Sequence, residues 1–245
     1  MTPGARLSVV VPAYQEGATI VAALDRLRTS VEKLDTDFEI IVVADGCTDD
    51  TAALVRGLDD PTVKLVEYQP NRGKGYALGE GFAASSGDLI AFIDADLDID
   101  PQGIGVLLVV LCSNRADVVV ASKVHPDSNV HYPAFRRIQS RVFRLLVRVL
   151  FSLSISDSQT GLKLFRREVL TACLPRVRST GFAFDLELLI AANDSGYKLE
   201  EAPVRLDYQF STTTGALAVV MVLRDTLGLA SRRLRSRHLT RGSRR

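Results

Sequence analysis

Two carboxylates spaced two residues apart, Asp94 and Asp96, close the apolar run Leu89-Ile90-Ala91-Phe92-Ile93. In an extended chain alternate side chains share one side, so this pair can hold a divalent cation between its oxygens. Asp98 and Asp100 continue the alternation. A bare Asp-x-Asp also occurs as an ordinary polar strand end. The elements around it decide between the two readings.

Those elements read as strands alternating with helices. Leu7–Val11 is β-branched and apolar, with Pro12 expected to stop it. Residues 18–34 carry Ile20, Leu24, Leu27, Val31 and Leu34 at helical steps. Phe38–Val43 is a second strand ending at Asp45, with Thr48 or Asp49 as the cap of a helix that stops near Gly57. Val63–Glu67 is a third, and Asn71-Arg72-Gly73-Lys74-Gly75 opens a helix to about Ala84. The acid-tipped run is the fourth. Such alternation implies a parallel sheet, which binds ligands beyond the carboxyl ends of its strands. Pro12–Glu16, Asp45, Asn71–Gly75 and Asp94–Asp98 all fall at that edge, and their co-location raises the acid pair above chance.

Farther on, a helix from Pro101 to about Leu111, a fifth strand at Asp117–Ala121 and a loop at 124–133 are expected. Arg137, Arg141, Arg144 and Arg148 then form one face of a basic amphipathic helix. A turn into a short strand follows at Asp157–Phe165. A helix begins near Gly181, with Asp185 and Glu187 in its first turns, where acids are favoured. Tyr197–Leu206 is strand-like, and a final apolar helix starts near Thr214.

At 245 residues, 47% hydrophobic and 24% charged, the chain has the material for one large α/β domain. Its net charge of +1 conceals an asymmetry. Residues 231–245 hold seven Arg and no acid, which leaves 23 basic against 29 acidic residues elsewhere. Cys47, Cys112 and Cys173 form neither a disulfide framework nor a metal spacing, which fits a reducing cytosol. No signal peptide or spanning helix is expected. The tail arginines lack interleaved aromatics, which argues against nucleic acid and for an anionic membrane surface.

Pro12-Ala13-Tyr14-Gln15-Glu16, Asp45-Gly46-Cys47-Thr48-Asp49, Asn71-Arg72-Gly73-Lys74-Gly75, Asp94-Ala95-Asp96 and Thr160-Gly161-Leu162-Lys163 together resemble the motifs of family 2 glycosyltransferases, over roughly residues 7–210. Within that family the chain is most similar to the polyprenyl-phosphate (dolichyl-phosphate) glucose and mannose synthases. The resemblance implies a type A glycosyltransferase fold, Rossmann-like, with a mostly parallel sheet between helices. The catalytic domain is expected at 1–210, and the charge asymmetry with the final apolar helix marks 211–245 as an amphipathic, basic, membrane-associating tail.

It further implies that Pro12, Tyr14, Glu16 and Asp45 line the base and ribose pocket, with Lys74, Asp94 and Ala95 also on the donor. Asp94, Asp96 and Asp98 would hold Mg2+ or Mn2+ on the donor diphosphate. Lys123, Arg136 and Ser140 would bind the acceptor phosphate, with Asp96, Lys123 and Arg136 as the catalytic set. The family's usual Asp-Asp-Gly-Ser is Ala44-Asp45-Gly46-Cys47 here, and the Gly-Phe-Arg common in mannose synthases is Gly161-Leu162-Lys163.

The implied reaction is inverting transfer of a hexose from a nucleotide sugar to a polyprenyl phosphate at the cytosolic membrane face. UDP-glucose is preferred over GDP-mannose, because Asp157–Phe165 and Phe182–Leu189 resemble the glucose type. A lipid monophosphate, with its second pKa near 6, is already an anion at neutral pH and needs no general base. A hydroxyl acceptor would need one, with Asp157 or Asp185 as candidates. A membrane-docked nucleotide-sugar binder without turnover is the non-enzymatic alternative.

Overall fold

The computed structural model describes residues 5–128, 147–151, 153, 155–181, 183–205 and 228–231. The first half alternates as its apolar periods require: β1 (Leu7–Ala13), α1 (Ile20–Glu32), β2 (Phe38–Asp45), α2 (Thr51–Arg56), β3 (Val63–Tyr68), α3 (Lys74–Ala84), β4 (Leu89–Phe92), α4 (Gly103–Ser113) and β5 (Val118–Ser122). Then come β6 (Lys163–Arg166), α5 (Arg167–Cys173), a 3-10 turn (Leu174–Arg176), α6 (Phe184–Asp194) and β7 (Leu199–Pro203). The strands form one sheet in the order β3-β2-β1-β4-β6-β5-β7. All pairings are parallel except those of β6 with β4 and β5.

Successive strand residues serve opposite faces. Val9, Ile40, Val42 and Ala91 join α1, α2 and α4 in one core layer. Val10, Ile41, Val43, Ile90 and Phe92 join α3, α5 and α6 in the other. This period-2 division buries both faces of the sheet, so its strands read as continuous apolar runs. The chain builds outward from β1 through β2 to β3, then returns past β1 to β4 with α3 on the opposite face. The gap between the β1 and β4 tips is the topological switch point, where open α/β sheets bind ligands.

Several expectations need revision. Pro12 does not stop β1, because β4 pairing ends at Val10↔Phe92. Beyond that point β1 has a neighbour on one side only, and Pro12 stays in register with Val43. The α2 cap position is Asp50, without a side-chain cap bond; Asp49 Oδ1 accepts instead from the Thr51 amide (3.1 Å) and hydroxyl (2.6 Å). The helix α5 and its 3-10 extension follow β6 directly and are too short for periodicity to reveal. Most of the expected basic helix, with Arg137, Arg141 and Arg144, lies outside the described residues, as do the Thr214 helix and the arginine tail. Among the described residues no helix is long and apolar enough to cross a membrane.

The amino edge of the sheet is fastened by Glu39, 1% exposed. Its carboxylate accepts from Ser8 Oγ (2.7 Å), the Ser86 amide (2.6 Å), Ser86 Oγ (2.8 Å) and Lys64 Nζ (2.6 Å). Burial opposes ionisation, but Lys64, Ser8 and Ser86 outweigh it and lower the pKa from 4.5 to about 2. A depressed folded-state pKa means that this stabilisation is complete above pH 4.5 and disappears as pH falls through about 2. Glu39→Ala leaves Ser8 and Ser86 without their acceptor and is expected to cost about 3 kcal/mol in denaturant unfolding at pH 7. It should also flatten the acid limb of stability between those two pH values.

Candidate active site

A cavity of about 530 Å3 opens at the switch point. The end of β1 contributes Pro12 and Ala13, and the loop after it Tyr14 and Glu16; β2 ends in the cavity at Asp45; the segment before α3 gives Asn71 and Gly73, and α3 opens with Lys74. Beyond β4 come Asp94, Ala95 and Asp96, and the wall is completed by Gln159, Gly181 and Asp185. Every donor-side residue named from the sequence except Asp98 therefore lines one space.

Local hydrogen bonds explain the shape of these loops. Gln15, at φ +59°, donates from Nε2 to Thr48 Oγ1 (2.8 Å) and accepts from the Thr48 amide (2.9 Å). The Glu16 amide donates to Thr51 Oγ1 (2.8 Å) and the Gly17 amide to Asp49 Oδ2 (2.9 Å), so the tips of β1 and β2 are laced together. Asp45, 3% exposed, accepts from the amides of Arg72 (2.7 Å) and Gly73 (2.9 Å). Each oxygen keeps a further lone pair, so Asp45 fastens the 71–75 segment and can still accept from a ligand. Gly46, at φ +66°, has no room for a Cβ: one would stand 2.1 Å from the Asn71 amide. Tyr14 is 52% exposed and forms an open aromatic wall.

The acid pair is presented by a turn rather than by a pleat. β4 ends at Phe92, the Ile93 amide makes a last bond to Val10 O (3.1 Å), and the Leu97 amide closes back on Asp94 O (3.2 Å) with Leu97 at φ +47°. The Asp98 amide donates to Asp96 Oδ1 (3.2 Å). Asp94 and Asp96 thus reach the same cavity, whereas Asp98 is not brought into it.

Asp94 Oδ1 lies 2.5 Å from Lys74 Nζ. The same ammonium is 4.0 Å from Asp185 Oδ2, and Asp185 Oδ1 is 2.7 Å from Lys163 Nζ. Lys163 is 1% exposed and also donates to Thr160 O. A line of alternating charges, Lys163, Asp185, Lys74 and Asp94, therefore runs from the core to the cavity. Burial lowers the pKa of Lys74, but Asp94 and then Asp185 reverse this, so the net direction is up. Burial pushes Asp185 up, and Lys163 followed by Lys74 bring it below its ordinary value. Asp96 is raised, first by burial and then by the surrounding Asp94, Asp98 and Glu16 carboxylates, against the lowering bond from Asp98.

This donor set fits a divalent cation. Two carboxylate side chains on one cavity, with excess negative charge at Asp96, suit an ion that completes its shell with phosphate oxygens and water, as Mg2+ and Mn2+ do. Among the described residues no group of three or more His, Cys, Asp or Glu converges to hold an ion without such help. Space is reserved for Asp94 by Gly161, where a Cβ would stand 2.2 Å from Asp94 Oδ2. Gly161→Ala must displace that carboxylate, and transfer or ligand-dependent Mn2+ binding is expected to fall at least about 10-fold in consequence. Thermal melting should move little.

The sequence did not single out Gln159, Gly161 or Gly181 as site residues. β6 is antiparallel, so its leading loop, not its trailing one, lies at the carboxyl edge of β4. Asp185 does occupy the first turn of α6, but as the buried partner of Lys163. Glu187 accepts from the amides of Arg178 (3.1 Å) and Ser179 (2.8 Å), which shapes the loop whose Thr180 O takes the Gly75 amide (2.8 Å). Lys163 holds charge where a mannose-type Arg was noted, yet it is sealed away from the cavity. Lys123 follows β5 at the same sheet edge, its amide held by Asp157 Oδ2 (2.9 Å), and is not part of the cavity wall. Arg136 and Ser140 lie outside the described residues.

The model of glycosyl transferase family 2 matches residues 8–174. Glycosyltransferase AglD of Haloferax volcanii is 32% identical over 240 residues, 95% of this chain but 37% of that protein. Dolichyl-phosphate beta-glucosyltransferase ALG5C of Trichomonas vaginalis is 31% identical over 80% of this chain and 62% of its own length. The chain thus spans less than two thirds of either relative. A crystal structure of glucosyl-3-phosphoglycerate synthase from Mycobacterium tuberculosis, with Mn2+, UDP and glucosyl-3-phosphoglycerate, superposes with a TM-score of 0.69 at 26% identity. It covers 93% of this chain and 80% of that one.

Proposed function

This chain belongs to glycosyl transferase family 2, and from that premise we propose that it transfers glucose from UDP-glucose to a polyprenyl phosphate, giving a β-linked polyprenyl-phosphate glucose. The observation that carries the reading is the cavity at the switch point, where Asp94, Asp96 and Lys74 face Tyr14 and Asp45 across a space of about 530 Å3. Relatives bearing the dolichyl-phosphate beta-glucosyltransferase name support the sugar and the lipid acceptor.

Pro12, Tyr14, Glu16 and Asp45 bind the base and ribose, and Lys74 and Ala95 meet the donor beyond them. Asp94 and Asp96 would hold Mg2+ or Mn2+, which when bound neutralises the diphosphate as it departs. The acceptor phosphate oxygen forms a bond to the sugar C1 while the C1–O bond to the diphosphate breaks, and UDP carries off the electron pair. No proton has to be removed from a phosphate dianion. The two acids that could have served as a base support this choice: Asp185 is locked to Lys163, and Asp157 holds the Lys123 amide. Lys123, Arg136 and Ser140 receive the acceptor phosphate at the membrane side, and residues 211–245 dock on anionic lipid.

Labelled UDP-glucose or GDP-mannose, incubated with polyprenyl phosphate and Mn2+ and followed by lipid extraction, tests the donor assignment. Label should enter the lipid from UDP-glucose and not from GDP-mannose. The reverse pattern, or no labelled lipid, overturns the proposal.

A further inference from the structure

Lys74 stands between two carboxylates, Asp94 and Asp185. Its ammonium sits 2.5 Å from Asp94 Oδ1, on one of the two carboxylates assigned to the cation. Asp94 Oδ2 points to Gly161, where even a methyl group would be too close. A divalent ion entering at Asp94 therefore competes with Lys74 for Oδ1. A displaced ammonium inside a partly closed cavity needs another counter-charge, since leaving it unpaired is costly.

That counter-charge is already present. Asp185 Oδ2 stands 4.0 Å from the same Nζ, while Lys163 takes the other oxygen, Oδ1, at 2.7 Å. Asp185 is 6% exposed and Lys163 is 1% exposed, so the pair is fixed by the core rather than by solvent. Phe184, next to Asp185, packs where a Cβ on Gly75 would stand (2.5 Å), so the start of α6 and the start of α3 are held at a set separation. Only the Lys74 side chain has to move, by a short swing from one carboxylate towards the other.

We propose that Lys74 is an exchangeable counterion. It neutralises Asp94 in the free protein and passes to Asp185 when a divalent cation takes Asp94, with Lys163 holding Asp185 ready. Asp185 and Lys163 are thus positioning residues for ion entry, acting through Lys74. The inference rests on the assignment of Asp94 and Asp96 to a cation.

Mn2+ binding followed by electron paramagnetic resonance, with and without UDP, tests it independently of turnover. In Lys74→Met, Mn2+ is expected to bind about fivefold more tightly without UDP, because no ion pair has to be broken. Asp185→Asn alone strands a buried Lys163, so the informative variant is Lys163→Met/Asp185→Asn, which preserves net charge. It should bind Mn2+ about fivefold more weakly, because the displaced ammonium has no second seat. In the triple variant with Lys74→Met that weakening should vanish. Equal weakening in the presence and absence of Lys74 overturns the proposal, as does unchanged or weaker binding in Lys74→Met. Asp94→Asn separates the underlying assignment: if it leaves Mn2+ binding intact, or if the wild-type chain binds no Mn2+, the cation site itself is wrong and the exchange falls with it.

Discussion

Asp94→Ala and Asp96→Ala are each expected to lower kcat/KM for glucose transfer by at least about 10^3-fold, equivalent to roughly 4 kcal/mol of transition-state stabilisation. In the proposed reaction the leaving group is a nucleoside diphosphate, and its developing charge would be met by a cation held by these two carboxylates. Both side chains face the cavity, and Asp94 is 38% exposed, so neither substitution removes core packing. Circular dichroism and the melting temperature should match the wild type. Near-normal transfer by either variant would remove the cation assignment from the mechanism. Mn2+ titration of the same variants distinguishes loss of the ion from loss of the donor.

The second large effect is on stability. Asp185→Asn leaves the Lys163 ammonium buried without its carboxylate, with Thr160 O as its remaining acceptor. Breaking a buried pair from one side costs about 3–5 kcal/mol, which lowers the melting temperature of a chain this size by on the order of 10 °C. Adding Lys163→Met should recover most of the loss, since replacing both charges is far cheaper than orphaning one. The sign of the pH response follows from the depressed carboxylate. The stabilisation is fully present above the ordinary Asp range and is lost as pH falls through the folded-state value. Differential scanning calorimetry across acidic pH should show a steeper acid limb in the wild type than in the double variant, which keeps only the contributions of other carboxylates such as Glu39.

Most of the cavity wall was legible because it is local. Pro12–Glu16, Asp45, Asn71–Gly75 and Asp94–Asp96 each follow an apolar run, and a parallel sheet gathers such tips at one edge. The pairing that completes the wall was not legible in the same way. Nothing in Asp157–Phe165 shows that Lys163–Arg166 inserts antiparallel between β4 and β5, and that insertion is what carries Gln159 and Gly161 to the donor edge. Asp185 had the appearance of a helix-start acid, because first-turn preference depends only on sequence position. Its pairing with Lys163, 22 residues away, is a tertiary fact. Pro12 shows the opposite failure: a local rule about proline was overridden because β1 outruns its β4 neighbour.

Choice of acceptor separates the proposed lipid-phosphate reaction from transfer to a hydroxyl. UDP-[14C]glucose and Mn2+ are supplied with polyprenyl phosphate, the corresponding free polyprenol, or 3-phosphoglycerate, and initial rates of label transfer are compared. Glucose is expected on polyprenyl phosphate alone, because the phosphate arrives ionised and Asp157 and Asp185 are both engaged elsewhere. Transfer to the polyprenol or to the phosphoglycerate hydroxyl at a comparable or higher rate would contradict it.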